Sequence, residues 1–273
     1  MDAIDDVPVL QLGVNEADAA LVLSTEANWN QTVEDWRFFL TNGVVFGIRN
    51  VSQLIATAAL LPYSDSNAWV SMVLVAANWR RRGLATRLLD ACLRKAREFG
   101  LTCWLDATPA GALVYGPLGF MPTVQLQRLR LSQGDRGQGQ PFSISTIDAL
   151  AARDRDVMGF DRDALLAEFG RRPRSRVMSS GDSIALVRDG RTARHIGPVY
   201  AKDTHHALRL VDAVAHSEAG PLLVDAVASH ETFIDGLTGM GLRIERPFQR
   251  MRLGRPAAAG NEIPFAVAGP EFG

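Results

Sequence analysis

The segment from Val73 to Ala91 has the sequence VLVAANWRRRGLATRLLDA. It begins as an apolar strand, continues into a basic turn that contains Gly83, and ends as an amphipathic helix. The first backbone N–H groups of a helix lack intrahelical partners, and the helix dipole adds partial positive charge there. A glycine lets the backbone approach a phosphate, and neighbouring arginines add charge. The stretch therefore predicts an anion site; an arginine-rich surface loop before a helix is the alternative.

The chain on either side of this stretch alternates between strand and helix patterns. Strands are predicted at 7–12, 44–48, 54–61, 69–76, 101–107 and 120–131. Helices are predicted at 16–27, 33–40, 84–99 and 110–118. Thr32 and Asp35 match a capping box at the start of the second helix. The resulting order, β-α-α-β-β-β-α-β-α-β, predicts an α/β (α+β) fold, a mixed sheet with helices on both faces.

The helix after the basic turn carries one apolar stripe with helical spacing, and Gly100 is placed to end it. The stripe consists of Leu84, Leu88, Leu89, Cys92, Leu93, Ala96 and Phe99.

Length and composition indicate two domains. The chain has 273 residues, and domains commonly have ~100 to 200. The segment 132–141, SQGDRGQGQP, has no apolar side chain and is predicted to be a linker. We therefore predict domains at 1–131 and 142–254, and an irregular tail at 255–273 rich in alanine, proline and glycine.

Composition also excludes several classes of protein. The formal net charge of -1 gives no reason to expect a nucleic-acid partner, and no apolar run approaches the ~20 residues of a membrane helix. The first residues lack a secretory signal pattern, so we expect a cytoplasmic protein, a monomer or homodimer. Cys92 and Cys103 are expected to be reduced and buried, and no metal site is predicted.

Two motifs resemble those of the GNAT family of acyl-CoA-dependent N-acyltransferases. Arg80, Gly83 and Ala85 match the family's phosphate-loop signature, and the family's later signature matches YGPLGF, from Tyr115 to Phe120. Ala77 departs from the pattern, because many members carry proline there. The resemblance covers residues 7–131.

This resemblance implies acetyl-CoA as the acyl donor and direct transfer to an amine in a ternary complex. In the family, strands 4 and 5 splay apart and the pantetheine arm pairs with strand 4. The residues implied in cofactor binding are Val73, Leu74, Val75, Arg80, Arg81, Arg82, Gly83, Leu84, Ala85, Thr86 and Thr108. Tyr115 takes the position of the general acid that protonates the departing thiolate, and a half-buried tyrosine bonded to a carbonyl is the alternative.

The general base is not identified by the motifs. Glu26, Asp35 and Asp106 are candidates. Glu26 is also explained as a solvated helix-end charge, Asp35 as part of the capping box, and Asp106, at the end of the fifth predicted strand, as a carboxylate that orders a loop. A relayed water is preferred. Thr108 is explained first as a helix cap before Pro109.

The segment between the first two helices is expected to line the acceptor pocket, as in the family. Trp29 and Asn30 are candidates for substrate binding, with Trp29 and Trp36 able to flank a cationic amine. Core packing of the two tryptophans is the favoured alternative.

The second half repeats the first in a degenerate form. CWLDATPAG at 103–111 is similar to LLVDAVASH at 222–230, and PLGFMPTVQLQRLRL at 117–131 is similar to GMGLRIERPFQRMRL at 239–253. After Val199 the second copy has neither the glycine nor the arginines, and it offers Ile234 or nearby residues in place of the tyrosine. We therefore predict tandem GNAT-like domains, with a phosphate loop in the first only.

The leading hypothesis is an N-acetyltransferase for a primary amine of a small molecule or peptide. The alternative is an acyl-CoA-binding sensor with little or no transferase activity. Nucleic-acid binding through Arg80–Arg82 and the arginines at 171–176 is a third option, disfavoured because aromatic residues are not interleaved.

Overall fold

The computed structural model describes residues 7–64, 66–133, 139–255 and 263–273. Two compact units are present, one formed by residues 1–105 and 253–255, the other by 106–252 and 256–273. The predicted linker lies only partly within this description, since residues 134–138 fall outside it. The domain boundaries at 131 and 142, which we predicted from the linker and the internal repeat, therefore stay a prediction.

The first unit is an open sheet with helices. Its elements are β1 (Leu10–Gln11), α1 (Ala17–Glu26), α2 (Val33–Asn42), β2 (Val44–Asn50), β3 (Gln53–Pro62), β4 (Asn67–Val75), α3 (Leu84–Glu98) and β5 (Thr102–Ala107), whose last two residues belong to the second unit. The strand order is β1-β2-β3-β4-β5, with β4 and β5 parallel and the other pairs antiparallel. The capping box of Thr32 and Asp35 at the start of α2 is confirmed.

Helix α3 packs its apolar stripe into this unit. Six of the seven predicted residues are buried: Leu84, Leu88, Leu89, Cys92, Leu93 and Ala96. The prediction for Phe99 was wrong, since its side chain is 56% exposed. The helix ends at Glu98, so Phe99 leaves the helical stripe, and the Lys95 ammonium lies 4.7 Å from its ring centroid. Gly100 follows with φ +64°, as a helix-ending glycine requires.

The second unit is also a sheet with helices. Its elements are α4 (Pro109–Tyr115), β6 (Met121–Leu131), β7 (Ser143–Ile144), α5 (Ile147–Met158), α6 (Asp163–Arg171), β8 (Arg176–Ser180), β9 (Ser183–Arg188), β10 (Arg194–Tyr200), α7 (Thr204–Ser217), β11 (Leu222–Val227), α8 (Glu231–Gly239) and β12 (Arg243–Leu253), whose last residue belongs to the first unit. The strand order is β12-β6-β11-β10-β9-β8-β7, with β10 and β11 parallel.

The predicted internal repeat is confirmed by the order of elements. From β1 to β6 the chain runs β-α-α-β-β-β-α-β-α-β, and from β7 to β12 it runs through the same order again. Strands β6 and β12 are both 11 residues long, have the same alternation of buried and exposed positions, and pair with each other antiparallel. We call residues 7–131 the first repeat and 142–254 the second repeat.

The described C-terminal residues, 263–273, contain no named helix or strand, and they form part of the second unit's core. Residues 256–262 lie outside the described part of the chain. From Phe265 to Ala268 the side chains are buried, as is Phe272. Alanine, valine and phenylalanine can fill a core without regular structure provided their backbone groups are bonded elsewhere, as they are here.

Two further properties concern the whole described chain. In it, no helix combines the length and the apolar character that crossing a bilayer requires. Cys92 and Cys103 are buried free thiols, as predicted, and burial raises the pKa of Cys103 to about 11.

Candidate functional site

The basic turn after β4 contains two residues with a left-handed backbone conformation. A single 3₁₀ turn at Ala77–Trp79 follows the strand, Arg81 has φ +60°, and Gly83 has φ +75° before α3 begins at Leu84. A Cβ at Gly83 would meet no atom within 4 Å, so the left-handed backbone and not crowding favours glycine. No side chain caps this end of α3. Residues 80 to 86 thus form the turn and the first residues of α3, and their role in binding a phosphate stays a prediction.

The arginines of the loop stabilise the turn itself. Arg80 Nε donates to the carbonyl oxygen of Val75 at 3.1 Å, and Arg82 donates to the carbonyl of Asn78 at 3.1 Å. The Arg82 guanidinium also lies 4.9 Å from the ring centroid of Trp79. These contacts hold exposed guanidinium groups beside the N-terminus of α3.

Strand β4 leaves one edge available for an added strand. Within the described residues, β5 is in register only with Asn67–Trp69, although β4 continues to Val75. Met72 has φ +51°, and the β3 register shifts there, so β4 carries a bulge. Thr57 Oγ1 donates to the Met72 carbonyl at 2.9 Å and holds this bulge in place. Bulges of this kind occur beside active sites and redirect backbone groups.

Glu26 is tied to the same region. Its Oε1 accepts a hydrogen bond from the backbone N–H of Ala77 at 2.6 Å, although the two residues lie 51 positions apart in the chain. Glu26 ends α1, and Ala77 begins the turn that joins β4 to the basic loop. The carboxylate therefore positions the exit of β4.

The three candidate acceptor-pocket residues in and before α2 differ in how far they are buried. Trp36 is fully buried, and its indole N–H donates to Ser24 Oγ at 3.0 Å, which supports the packing interpretation for this tryptophan. Trp29 is half-buried and Asn30 is buried. Asn28, with φ +55°, forms the bend before them.

Tyr115 lies in the second unit, at the end of the short helix α4. Thr108 Oγ1 accepts from Gly111 N at 3.2 Å and caps this helix, with Pro109 at its first position. The Tyr115 ring is half-buried and lies 5.9 Å from the Phe120 ring, centroid to centroid. The cap holds the first turn of α4, and the aromatic contact joins the two ends of the YGPLGF motif.

Asp106 is held by a residue from the end of the chain. Both of its oxygens accept from Arg250, Nε at 2.8 Å and the terminal nitrogen at 2.8 Å, and the carboxylate is fully buried. Burial raises the pKa of Asp106, and the guanidinium opposes that rise. A carboxylate with both oxygens bonded to arginine is poorly placed to accept a proton from an amine, so the structural interpretation of Asp106 is favoured.

Arg250 was not predicted from the sequence, yet a signal for it existed. A second pair, Arg128 with Asp225, has the same bidentate geometry at 2.7 and 2.7 Å and is also buried. Arg128 and Arg250 occupy corresponding positions of the repeated motifs, as do Asp106 and Asp225. Each ion pair therefore joins one repeat to the other. An aspartate and an arginine that recur at corresponding positions in both halves of the sequence could have predicted these two ion pairs between the repeats.

The second repeat lacks the features of the basic loop. After β10, Asp203 caps α7 by accepting from His206 N at 3.0 Å. Asp203, His205 and His206 bring possible metal-ligating atoms within 4.8 Å of one another, but two of these residues are exposed and the Asp203 carboxylate already serves as the cap.

The edge of β10 is filled by the chain itself. Beyond its pairing with β11, Val199 N donates to the Ala266 carbonyl at 2.9 Å, and Phe265 N donates to the Val199 carbonyl at 3.0 Å. On the other side, Val227 N donates to Phe265 O at 3.0 Å and Val267 N donates to Asp225 O at 3.0 Å. The C-terminal segment is thus bonded to both parallel strands. In the first unit, the corresponding edge of β4 has no such strand among the described residues.

Comparison with known proteins agrees with two related domains. The profile of the acetyltransferase (GNAT) family matches residues 16–120, and a second profile, of an acetyltransferase (GNAT) domain, matches residues 150–263. Among curated proteins, the chain is 23% identical over 260 residues to an uncharacterized N-acetyltransferase, YitH, of Bacillus subtilis, covering 88% of this chain and 89% of that protein. It is 28% identical over 233 residues to the holothin acyltransferase of a Pseudoalteromonas species, covering 80% and 78%.

Solved structures show the same fold. A protein from Pyrococcus horikoshii assigned as an acetyltransferase has a TM-score of 0.84 at 16% identity, covering 100% of this chain and 98% of that one. A tandem GNAT protein from the clavulanic acid biosynthesis pathway has a TM-score of 0.65 at 16% identity, covering 91% and 98%. With two matching profiles that together span most of its length, this chain belongs to the GNAT family of acetyltransferases and contains two GNAT domains in tandem.

Proposed function

We propose that the protein is an N-acetyltransferase that moves an acetyl group from acetyl-CoA to a primary amine of a small molecule or peptide, by direct transfer in a ternary complex. The observation that carries this proposal is the loop from Arg80 to Thr86, which opens α3 with Gly83 in a left-handed conformation directly after the bulged strand β4.

The acyl donor is assigned to the first repeat. The pyrophosphate would rest on the backbone N–H groups of residues 81–86, with Arg80, Arg81 and Arg82 adding charge. The pantetheine arm would pair with the edge of β4 at Val73 to Val75 as an added strand. A backbone N–H at the bulge would polarise the thioester carbonyl, and Thr108 is a further possible contact of the cofactor.

The proposed chemistry uses few side chains. The amine nitrogen attacks the thioester carbon, the new C–N bond forms, and the C–S bond breaks. Tyr115 donates its hydroxyl proton to the departing thiolate, and a relayed water removes the proton of the amine. Neither Asp106 nor Glu26 is assigned as the base, because each carboxylate holds part of the backbone or another side chain.

The acceptor is assigned to the segment that contains Trp29 and Asn30. The names of two relatives, a holothin acyltransferase and a tandem protein of clavulanic acid biosynthesis, favour a small-molecule amine over a peptide. The buried free thiols of Cys92 and Cys103 fit a reducing compartment such as the cytoplasm.

The test of transfer is thiol release from acetyl-CoA across a panel of primary amines. Tyr115→Phe removes the donated proton, so kcat should fall by roughly 10² to 10⁴-fold while acetyl-CoA affinity stays the same. Wild-type transfer at a rate equal to that of Tyr115→Phe would contradict the role of the tyrosine. Acetyl-CoA binding by the wild type with no amine raising thiol release would favour the sensor alternative.

The test of the loop is calorimetry with acetyl-CoA on a matched pair of variants. Gly83 and Gly100 stand at opposite ends of α3, both have positive φ, and neither has an atom within 4 Å of an added Cβ. Gly83→Glu should abolish binding by repelling the pyrophosphate, whereas Gly100→Glu carries the same backbone strain and should leave binding intact. Equal loss in both variants would show that folding and not the loop is responsible.

A further inference from the structure

The ion pair of Asp106 and Arg250 lies next to the motif that contains Tyr115. Asp106 is followed by Ala107 and by Thr108, the cap of α4, and Tyr115 ends that helix. Because Asp106 is buried and bonded through both oxygens to one guanidinium, its backbone has little freedom to shift. Arg250 thus holds the chain directly before α4, the helix that ends at Tyr115.

The other side of the motif is held by the same part of β12. Strand β6 begins at Met121, directly after Phe120, and Thr123 Oγ1 donates to the Arg250 carbonyl at 3.1 Å. Gln249 Nε2 donates to the Val124 carbonyl at 3.1 Å. The segment from 107 to 122 is therefore anchored at both ends to two adjacent residues of the second repeat.

We propose that Arg250 is a positioning residue for Tyr115, and that the second repeat thereby takes part in the reaction of the first. The inference rests on the proposed role of Tyr115 as the proton donor. A hydroxyl that must meet a thiolate at hydrogen-bond distance loses effectiveness with small displacements, so the anchoring of α4 bears on the rate of proton transfer.

The chain contains its own matched control. Arg128 makes the equivalent bidentate pair with Asp225, and Asp225 precedes α8 as Asp106 precedes α4. The position that corresponds to Tyr115 is Ile234, which has no proton to give. Asp225 also keeps a hydrogen-bond partner in His195, at 2.9 Å. Arg128 is thus a buried arginine of the same kind without a proposed catalytic group to position.

The experiment compares Arg250→Met with Arg128→Met under conditions where circular dichroism shows both variants to be folded. We expect Arg250→Met to lower kcat by roughly tenfold to a hundredfold with little change in the KM for acetyl-CoA. Arg128→Met should leave kcat within about twofold of the wild type, because no proposed catalytic group depends on Arg128 for its position. Arg250→Lys keeps the charge but not the bidentate geometry, and should give an intermediate kcat; it also serves if Arg250→Met does not fold.

The decisive readout is the double variant with Tyr115→Phe. If Arg250 acts through the tyrosine, Arg250→Met should reduce kcat no further once the hydroxyl is gone. The inference would be overturned if Arg250→Met and Arg128→Met lowered kcat equally. It would also be overturned if the kcat losses of Arg250→Met and Tyr115→Phe multiplied in the double variant. In both cases Tyr115→Phe alone would still be impaired. A Tyr115→Phe variant with wild-type kcat would instead overturn the proposed function, so the two failures are distinguishable.

Discussion

Glu26 shows how a single residue can be reassigned by its contact. In the sequence it is a carboxylate near the expected acceptor pocket, and hence a candidate base. In the structure its Oε1 accepts from Ala77 N, where the chain leaves β4 towards the basic loop. A carboxylate that holds a backbone N–H contributes through position, and an amide oxygen can accept the same hydrogen bond.

The two roles of Glu26 predict different results for two substitutions. If it positions the turn, Glu26→Gln should keep most of the acetyl-CoA affinity and kcat, while Glu26→Ala should weaken acetyl-CoA binding by releasing the turn. If it were the base, both variants would lose kcat to a similar degree. Steady-state kinetics and calorimetry on the two variants separate these outcomes.

His195 gives a prediction about pH. It is buried and bonded to Asp225, with the charged groups of Arg188 and Glu271 also acting on it. Burial lowers the pKa of His195, although the hydrogen bond to Asp225 opposes this. The folded state therefore favours the neutral ring, and this contribution to stability is present above the unfolded pKa of ~6.5 and lost as the pH falls through the lower folded pKa.

Urea unfolding at pH 7.5 and pH 5 measures this contribution. The free energy of unfolding of the wild type should fall between the two conditions, and His195→Gln, which keeps a hydrogen-bond donor, should show a smaller fall. An equal fall in both proteins would place the titrating group elsewhere.

At the scale of elements, the sequence predicted what local patterns determine. The order of strands and helices, the capping box at Thr32 and the burial of the α3 stripe follow from spacing and capping chemistry. Phe99 failed because the helix ended one residue before it. The pairing of β6 with β11 was not predicted, because antiparallel strands that are distant in sequence leave no local signal. The repeated arginines and aspartates were the one indication of this pairing in the sequence.

The C-terminal segment is the element that composition described least well. Its alanine, proline and glycine content predicted an irregular tail, but Phe265 stacks on His230 at 4.2 Å between centroids and contacts Phe233 edge-on. Irregular chain and buried chain are compatible when neighbouring strands accept and donate its hydrogen bonds. This segment is hydrogen-bonded to both parallel strands of the second repeat, β10 and β11.

A pair of substitutions tests the packing of this segment. Phe265→Ala should reduce the free energy of unfolding by ~3 to 5 kcal/mol, the usual effect of emptying an aromatic core position. Ile263, in the same segment, is 51% exposed, so Ile263→Ala should change it by about 0.5 kcal/mol or less. Similar values for the two variants in chemical denaturation would show that the segment is not packed as described.

At the scale of the whole molecule, the net charge of -1 gives no sign that the two repeats differ in the basic residues that follow their fourth strands. The chain carries two GNAT domains, but the basic loop with its left-handed glycine follows β4 alone, and the equivalent edge of β10 is occupied by residues 265–267. The second repeat instead supplies Arg250, which bonds Asp106 beside the Tyr115 motif.

We expect one acyl-CoA site per chain, in the first repeat. Isothermal titration of the full chain with acetyl-CoA measures this stoichiometry. The wild type should bind one acetyl-CoA per chain, and Gly83→Glu should bind none. Two sites, or one site that persists in Gly83→Glu, would show that the first-repeat loop is not the single binding site.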